Sequence, residues 1–382
     1  MGLFGLAADL MESGTAHRKR VLVVGAGIAG LATGRALRRH GIVCDVVERA
    51  AGWSHPGTGV YLPANSVRAL GDLGLEAAFD ERAHEIVRQR FLDHKGRLLL
   101  DVDLPAFWGA TGPCAAVSHR DLHEVLRDGI AVRLGATVTA LDEDGQIVRA
   151  SFADGSNGMY DLVVGADGVH SWVRRDVFRG AAPTFVGQAS WRFLVEGFPE
   201  ITAWTVRLGP GKVFLTLPLG GGRIYCYADV SSSNPTDPTG GDPTALVDLF
   251  REFAEPVPTI LRAALAAAER PYFSAIEEVV QQPWVRGRVV LVGDAAHAMS
   301  PNMAEGAGMA LEDAVVLAET IVADRPLAAF EARRRRRVAL VQAHTHRRDR
   351  MRNLPAFVRN ATLRLAGQRI FRGNYKSLLR EP

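Results

Sequence analysis

Glycines with the spacing of a nucleotide-binding loop lie near the start of the chain. Gly25, Gly27 and Gly30 form the pattern GxGxxG directly after the apolar run at residues 21–24. In such a loop the first glycine permits a tight turn, the second lets backbone approach a pyrophosphate, and the third lets helix and strand pack closely. A helical segment at about residues 30–40 follows, and its N-terminal N–H groups are expected to face the phosphates.

An acidic residue stands where such a site recognises a ribose. A second apolar run, residues 42–47, ends at Glu48, which follows Gly25 by 23 positions. A carboxylate there accepts hydrogen bonds from ribose hydroxyls and disfavours a 2′-phosphate, so the site suits FAD or NAD better than NADP. A glycine-rich turn that binds nothing is the alternative, and the surrounding strand, helix and acid disfavour it.

A second glycine-rich segment, VGDAAHAMSPNMAEGAGMALEDA (residues 292–314), joins a carboxylate to the start of a helix. An apolar run ends at Gly293 and Asp294, and the Ala/Leu-rich sequence predicts a helix from near Ala307. Taken alone, Asp294 is better explained as a helix N-cap. For His297, we expect a buried side chain with a satisfied hydrogen bond.

Composition excludes several classes of partner. The 382 residues are 47% hydrophobic, enough for one large domain or two interleaved ones. The net charge of +3 gives no reason to expect nucleic acid or a membrane surface as a partner. Five consecutive arginines, residues 333–337, fall within one predicted long helix. Consecutive helical residues point in all directions, so we expect a solvated, partly ion-paired surface there rather than a polyanion site.

The cysteines and the first residues favour a reducing, cytoplasmic setting. Cys44, Cys114 and Cys226 are far apart, show no zinc-ligand spacing and are odd in number, so neither a metal site nor a disulfide framework is expected. Basic residues follow the apolar ones at the N-terminus, the reverse of a signal peptide. No apolar run reaches transmembrane length, so no integral membrane association is expected. Residues 1–19 are interpreted as an N-terminal extension.

Three separated motifs together carry a family resemblance. They are GxGxxG with Glu48, GADG at residues 165–168, and GDAAH at residues 293–297. This combination resembles the FAD-dependent aromatic hydroxylases, the single-component flavoprotein monooxygenases built like para-hydroxybenzoate hydroxylase, from residue 20 to about 342. GTGVYLPANSVRAL (residues 57–70) is similar to the family's stretch beside the flavin. WRFLVEG and PNMAEGAGMALEDA are most similar to the salicylate- and alkylquinolone-hydroxylase branch.

The resemblance implies an α/β fold with interleaved domains. A Rossmann-like FAD-binding domain of the GR2 type is expected over residues 20–72, 110–180 and 284–330. A β-sheet-rich substrate domain is expected over residues 73–109 and 181–283. Residues 331–382 are expected to form a C-terminal helical region.

The resemblance also implies noncovalently bound FAD and a set of residues that hold it. Asp294 would bind a ribityl hydroxyl, and Arg120 would reach the pyrophosphate or the ring; a surface position for Arg120 is the alternative. The helix that begins near Ala307 would stabilise negative charge on the reduced flavin through its N-terminal N–H groups. The full set is Gly25, Gly27, Ala29, Gly30, Glu48, Arg49, Arg120, Asp167, Gly293, Asp294, Pro301, Gly306, Ala307, Gly308 and Met309.

The activity implied is hydroxylation of an aromatic or heteroaromatic small molecule. In the family, NADH or NADPH reduces FAD, O₂ forms a flavin C4a-hydroperoxide, and one oxygen passes to an electron-rich ring. The same fold supports flavin-dependent halogenases and reductases, and a non-catalytic flavin-binding protein is a third possibility. The Trp-x-Trp-x-Ile-Pro signature of the halogenases is absent from this sequence.

Aromatic residues of the strand-rich middle segment are the candidate substrate pocket, with sheet core as the alternative for each. They are Trp191, Phe193, Trp204, Phe214 and Tyr225. Arg192 is a candidate anchor for an anionic or carbonyl group, or else an exposed sheet arginine, and Tyr225 is a candidate catalytic base. Urate-hydroxylating relatives carry an arginine in the strand similar to GKVFLTLP, where this chain has Val213, and this disfavours urate.

Overall fold

The computed structural model describes residues 19–54, 58–267 and 270–382. The expected N-terminal extension, except Lys19, and Gly57 of the expected flavin-side stretch lie outside the described residues. The strands are β1 (Arg20–Val24), β2 (Val43–Val47), β3 (Gly59–Leu62), β4 (His84–Glu85), β5 (Arg88–Asp93), β6 (Leu98–Asp103), β7 (Ala115–Ser118), β8 (Val132–Arg133), β9 (Val138–Glu143), β10 (Val148–Phe152), β11 (Asn157–Tyr160), β12 (Leu162–Gly165), β13 (Thr184–Val195), β14 (Trp204–Leu208), β15 (Lys212–Pro218), β16 (Ile224–Ser231), β17 (Tyr272–Glu278), β18 (Val285–Arg286) and β19 (Val289–Leu291). The helices are α1 (Ile28–Arg39), α2 (Ala64–Asp72), α3 (Glu76–Asp80), α4 (Leu104–Trp108), α5 (His119–Arg127), α6 (Trp172–Val177), α7 (Pro243–Leu249), α8 (Val257–Ala266), α9 (Asp294–His297), α10 (Gly306–Val322), α11 (Leu327–Arg352) and α12 (Ala356–Tyr375).

A mostly parallel sheet carries the glycine-rich motifs. Its strand order is β18-β19-β12-β1-β2-β8, and only β18 pairs antiparallel to its neighbour. The central strands are valine-rich and buried on both faces, as parallel strands covered by helices require. Val23 of β1 is in register with Val46 of β2 and Val164 of β12. The loops after β1, β12 and β19 therefore meet at one edge, where ligands bind to open α/β sheets.

A second sheet provides a wall for a cavity. Its strand order is β17-β13-β16-β15-β14-β5-β6. Directly paired residues share a face, so the register Arg192↔Tyr227↔Leu215 defines one side of this sheet. The opposite side packs against α7 and α8 in a separate apolar cluster that includes Phe250 and Ile260. Smaller sheets, β11-β10-β9 and β3-β7-β4, complete the strand structure described here.

Helices from distant parts of the sequence close the molecule around these sheets. Helix α10 packs against α1, α2 and α11, and α12 lies across β6. The Cβ that a larger residue would carry at Gly367 of α12 lies 3.1 Å from Leu100 of β6, so the helix and strand are in close contact. The predicted α/β fold with interleaved sheets and C-terminal helices is confirmed, whereas the domain boundaries stay a prediction.

The arginine run differs from expectation. Helix α11 contains it, as predicted, but the Arg334 side chain is 0% exposed and its guanidinium is paired with Glu312 and Asp313. Arg337 is also largely buried against Glu312. The helix crosses the protein interior at this point, so one face of the run is core rather than solvated surface. Within the described ranges, no helix has the length and apolarity needed to cross a membrane.

Candidate active site

The first glycine-rich loop has room for a ligand where the motif requires it. Gly25 has φ +102°, and a Cβ there would lie 2.5 Å from the Ala166 carbonyl oxygen. A Cβ at Gly30 would lie 1.9 Å from the Gly25 carbonyl oxygen, so α1 packs directly on the loop. At Gly27, by contrast, no atom lies within 4 Å of the Cβ position, and the residue lines the main cavity. Backbone at Gly27 and the first turn of α1 are thus open to a phosphate.

Glu48 organises the same loop. Its two carboxylate oxygens accept hydrogen bonds from Ala26 N (3.0 Å) and Ala50 N (2.9 Å). Each oxygen keeps acceptor capacity for a hydroxyl, because a carboxylate oxygen accepts more than one hydrogen bond. The neighbouring Arg49 is exposed and lies away from the main cavity.

The second glycine motif brings a carboxylate to the cavity. Gly293 has φ +56°, and a Cβ there would lie 2.7 Å from the Ala29 Cβ, so only glycine allows this approach of α9 to α1. The Asp294 carboxylate lines the cavity and makes no hydrogen bond to the part of the chain described. The loss of surrounding water raises the pKa of the Asp294 carboxyl group, and the charges of His297 and Arg192 oppose this shift. Asp294 is the first residue of α9 and does not cap it through its side chain.

A buried ionic network centred on Asp313 holds the segment of residues 293–297 in place. His297 Nε2 lies 2.7 Å from Asp313 Oδ2, which also accepts from Gly293 N at 2.9 Å. Arg334 Nε donates to Asp313 Oδ1 at 2.8 Å. Burial alone would raise the pKa of Asp313, but His297 and Arg334 hold it below its usual range. The prediction that His297 is a buried, hydrogen-bonded histidine is confirmed.

Another buried acid, Glu305, directly precedes α10 as its N-cap residue. Glu305 Oε2 accepts from Asn65 Nδ2 at 3.1 Å, and Oε1 has no partner among the described residues. Burial, followed by repulsion from Glu312, raises the pKa of Glu305 to about 8. A Cβ at Gly308 would lie 2.1 Å from Ser66 Oγ, so the start of α10 is packed tightly on α2.

The residues expected at this helix start divide into two groups. Pro301, Gly306 and Ala307 line the cavity. Gly308 and Met309 are buried behind them, and the Met309 side chain packs in the core, with its Sδ 3.5 Å from Arg334. The Met309 side chain is thus turned into the core, and the expectation that Gly308 and Met309 belong to the cofactor site stays a prediction.

A cavity of about 600 Å³ joins both glycine motifs to the second sheet, within the range of small-molecule and cofactor sites. One wall is the face of the sheet that Arg192 shares. The other is α12, through Leu363, Gly367 and Phe371. The wall formed by the sheet consists mainly of apolar and aromatic side chains: Phe91, Leu100, Trp204, Val206, Leu208, Val213, Leu215, Leu217, Tyr225 and Tyr227. Such a surface suits a flat ring and excludes water.

Three of the aromatic residues predicted for the pocket lie elsewhere. Trp191, Phe193 and Phe214 belong to the cluster under α7 and α8, on the opposite face of the sheet. The reason is the pleat: Trp191 and Phe214 both pair with Ala228 and share its face. Trp204 and Tyr225 line the cavity.

The two residues proposed for catalysis line the cavity as well. The Arg192 guanidinium carbon lies 5.7 Å from the centre of the Tyr227 ring. Burial raises the pKa of Tyr225 to about 12, with Arg192 opposing the shift. A phenol of that pKa keeps its proton at neutral pH, which disfavours Tyr225 as a base and favours it as a hydrogen-bond donor.

Neither Arg120 nor Asp167 lines the cavity. Arg120 is exposed on α5, and its neighbour His119 lines the cavity instead. The Asp167 carboxylate accepts from Ser171 Oγ (2.5 Å) and Val173 N (3.0 Å), so it is occupied at the start of α6. Burial raises the pKa of Asp167, and these hydrogen bonds oppose the shift.

Sequence reasoning missed several residues that the fold brings to the cavity. Gln89 of β5 and Arg352 of α11 line it, and Arg352 forms a buried ion pair with Asp229. Arg359 of α12 donates to the Gly209 and Leu208 carbonyl oxygens at 2.8 and 3.1 Å and so fastens that helix to the sheet. No local pattern marked Gln89, which stands between Arg88 and Arg90, and none marked the arginines.

These features fit FAD. The open space at Gly27 and the free N-terminus of α1 suit a pyrophosphate, Glu48 suits a ribose, and the unpaired Asp294 carboxylate suits a hydroxylated chain. The start of α10 at Gly306 presents N–H groups to the same cavity. When bound, FAD supplies the redox chemistry and the reaction with O₂, and the protein supplies position and exclusion of water.

Comparison with known proteins agrees with this geometry. Residues 18–354 match the model of the FAD binding domain family. The chain is 36% identical over 349 residues to 3-amino-4-hydroxybenzoate 2-monooxygenase of Streptomyces cremeus, covering 87% of this chain and 86% of that protein. It is 34% identical to aurachin C monooxygenase/isomerase of Stigmatella aurantiaca, with 82% and 83% covered.

A solved structure gives the same fold. The crystal structure of Klebsiella pneumoniae HpxO complexed with FAD and uric acid is 28% identical, with a TM-score of 0.86 over 95% of this chain and 97% of that one. The geometry of the cavity, the family match and the relatives all indicate a flavin-dependent oxidoreductase. The chain therefore belongs to the family of FAD-dependent aromatic hydroxylases.

Proposed function

We propose that this aromatic hydroxylase acts on a flat, electron-rich ring that carries amino, hydroxyl or oxo groups, with NADH or NADPH as the electron donor. The observation that carries the proposal is one continuous cavity that extends from Gly27 and Asp294 to the apolar face of the second sheet. A ring bound on that face would be adjacent to the cofactor site and shielded from water, which hydroxylation requires.

The relatives support rings of this kind. Their names specify 3-amino-4-hydroxybenzoate and aurachin C. Urate, bound in the HpxO crystal, is a weaker candidate, because Val213 lines the cavity where urate-hydroxylating relatives are expected to carry an arginine.

We propose these roles for the chain's own residues. Asp294 accepts a hydrogen bond from a ribityl hydroxyl, and Glu48 accepts from the adenosine ribose. Arg192 binds an oxygen of the substrate, because it faces the cavity from β13, next to the edge strand β17. Tyr225, protonated at neutral pH, donates a hydrogen bond rather than removing a proton. Arg49, Arg120, Asp167, Gly308 and Met309 support the site from outside the cavity.

The experiment is a substrate panel on FAD-loaded protein. Oxidation of NADH and of NADPH is followed with 3-amino-4-hydroxybenzoate, salicylate, 2(1H)-quinolone and urate, and products are identified by mass. We expect faster NAD(P)H oxidation with at least one non-urate ring, and a product that has gained one oxygen atom, with release of CO₂ if the new hydroxyl group takes the place of the salicylate carboxylate. Stimulation by urate alone would contradict the proposed substrate class.

We also propose that the enzyme works in the cytoplasm. Support comes from Cys44, Cys114 and Cys226, which are free thiols, two of them buried. Cell fractionation with activity measurement tests this, and activity confined to an extracellular fraction would contradict it.

A further inference from the structure

A polar pair at one corner of the cavity has no partner in the protein. Gln89 of β5 is 1% exposed, and neither its Oε1 nor its Nε2 makes a hydrogen bond to any described residue. Trp204 of β14 is 4% exposed, and its Nε1 is likewise without a partner in the described structure. Buried polar groups in native proteins are nearly always paired, so two such residues together require an explanation.

The register places the two side chains side by side on the cavity face. Gln89 pairs directly with Trp204 in the parallel β5–β14 ladder, and both residues line the cavity. Leu217 follows in the same row on β15. The next row along the face consists of Phe91, Val206 and Leu215.

No described residue bonds to the pair, and the next polar side chain along its row, after Leu217, is the Tyr225 phenol. Apolar side chains flank it on the sheet, and the Tyr61 ring packs on Trp204 with centroids 4.1 Å apart. The cationic side chains of the cavity are in other rows or on α11 and α12: Arg192 is in the Phe91 row on β13, two strands beyond Leu215. The corner is therefore a neutral hydrogen-bonding site in an apolar wall.

Resting on the proposed function, we infer that Gln89 and Trp204 determine substrate specificity by recognising one edge of a neutral ring. A carboxamide accepts through oxygen and donates through nitrogen at the same time, and an indole N–H only donates. The matching edge carries an N–H or O–H donor beside an oxygen acceptor, as in a ring lactam or an ortho-aminophenol. A carboxylate would leave the Gln89 oxygen without a donor and is disfavoured at this corner.

The test measures binding without turnover. FAD-loaded, oxidised protein is titrated with 2(1H)-quinolone, whose N–H lies beside its C=O, with quinoline, which lacks that pair, and with 2-naphthoate, which is anionic. We expect the wild type to bind the quinolone at least about tenfold more tightly than quinoline, since an unmatched buried polar group is costly. In Gln89→Leu this preference should fall below about threefold, and in Trp204→Phe it should fall in part. Gln146→Leu, at an exposed turn, should leave the preference unchanged.

Thermal unfolding without ring ligand separates recognition from a structural role. Gln89→Leu removes an unpaired buried amide, so its Tm should equal or exceed that of wild type. A clearly lower Tm would make Gln89 a packing residue and overturn the inference. The inference would also be overturned if the wild type bound quinolone and quinoline equally well, or did not bind quinolone at all. The same holds if 2-naphthoate bound most tightly, or if Gln89→Leu kept the wild-type preference for quinolone. The proposed function fails separately, through absence of ring-stimulated NAD(P)H oxidation.

Discussion

The pH dependence of stability should change when Glu305 is replaced by glutamine. Glu305 is 1% exposed at the start of α10, where Glu312 repels it and Asn65 donates to it. Glutamine has the same shape and can still accept from Asn65 through its own oxygen. Glu305→Gln therefore removes the titration while keeping the packing and the hydrogen bond.

The magnitude follows from the pKa. Burial and Glu312 raise the pKa of Glu305 from its ordinary 4.5 to about 8. Between those values the folded state keeps a proton that the unfolded state has lost, so wild-type stability falls as the pH rises. The slope is about 1.4 kcal/mol per pH unit, and the whole interval amounts to roughly 5 kcal/mol. Above pH 8 both states are ionised and the effect levels off.

Urea unfolding of FAD-saturated wild type and Glu305→Gln at pH 5, 6, 7, 8 and 9 measures this. The stability advantage of the variant should grow from pH 5 to pH 8 and then stay constant. Glu319→Gln on the same helix is the control: Glu319 is half-exposed and paired with Arg333, so its variant should show no such growth. A pH-independent difference between wild type and Glu305→Gln would refute the reasoning.

Other variants test the network and the cofactor contacts. Arg334→Leu leaves the Asp313 carboxylate buried without the arginine cation, so the free energy of unfolding in urea should fall by about 3–5 kcal/mol. For the exposed Arg336, the leucine variant should stay within about 0.5 kcal/mol of wild type, and equal losses in the two variants would contradict the network's role. Glu48→Ala should weaken FAD binding about tenfold or more in a fluorescence titration, because a charge-assisted hydrogen bond is lost; an unchanged Kd would make Glu48 a loop-bracing residue only. Asp294→Ala, saturated with FAD, should form less product per NAD(P)H and more H₂O₂, since a misplaced ring slows transfer and admits water; a wild-type ratio and rate would argue against the ribityl contact.

The nucleotide-binding half of the fold could be predicted because its signals are local. Gly25 and Gly293 have positive φ, and Gly30 packs against the Gly25 carbonyl group, so each position requires glycine and the short motif around it is visible in the sequence. The His297 prediction succeeded because the motif itself forms the short helix α9, whose last residue is the buried His297.

The substrate half could not be predicted in the same way because both faces of its sheet are covered. One face meets α7 and α8 and the other lines the cavity, so Trp191 and Trp204 are equally buried although they face opposite sides. Only the strand register distinguishes them. The burial of Arg334 and the position of α12 beside the cavity depend on packing between distant segments of the chain. Residue spacing within one segment does not predict such contacts.

The origin of the oxygen atom in the product is the most direct test of whether the protein hydroxylates an aromatic ring with O₂. FAD-loaded enzyme is supplied with NAD(P)H, the ring from the panel that stimulates oxidation most, and isotopically labelled O₂ in unlabelled water. We expect one labelled oxygen atom in each molecule of hydroxylated ring, with none incorporated from water. Product oxygen derived from water, or NAD(P)H oxidation that yields only H₂O₂ with every ring tested, would contradict assignment as an aromatic hydroxylase.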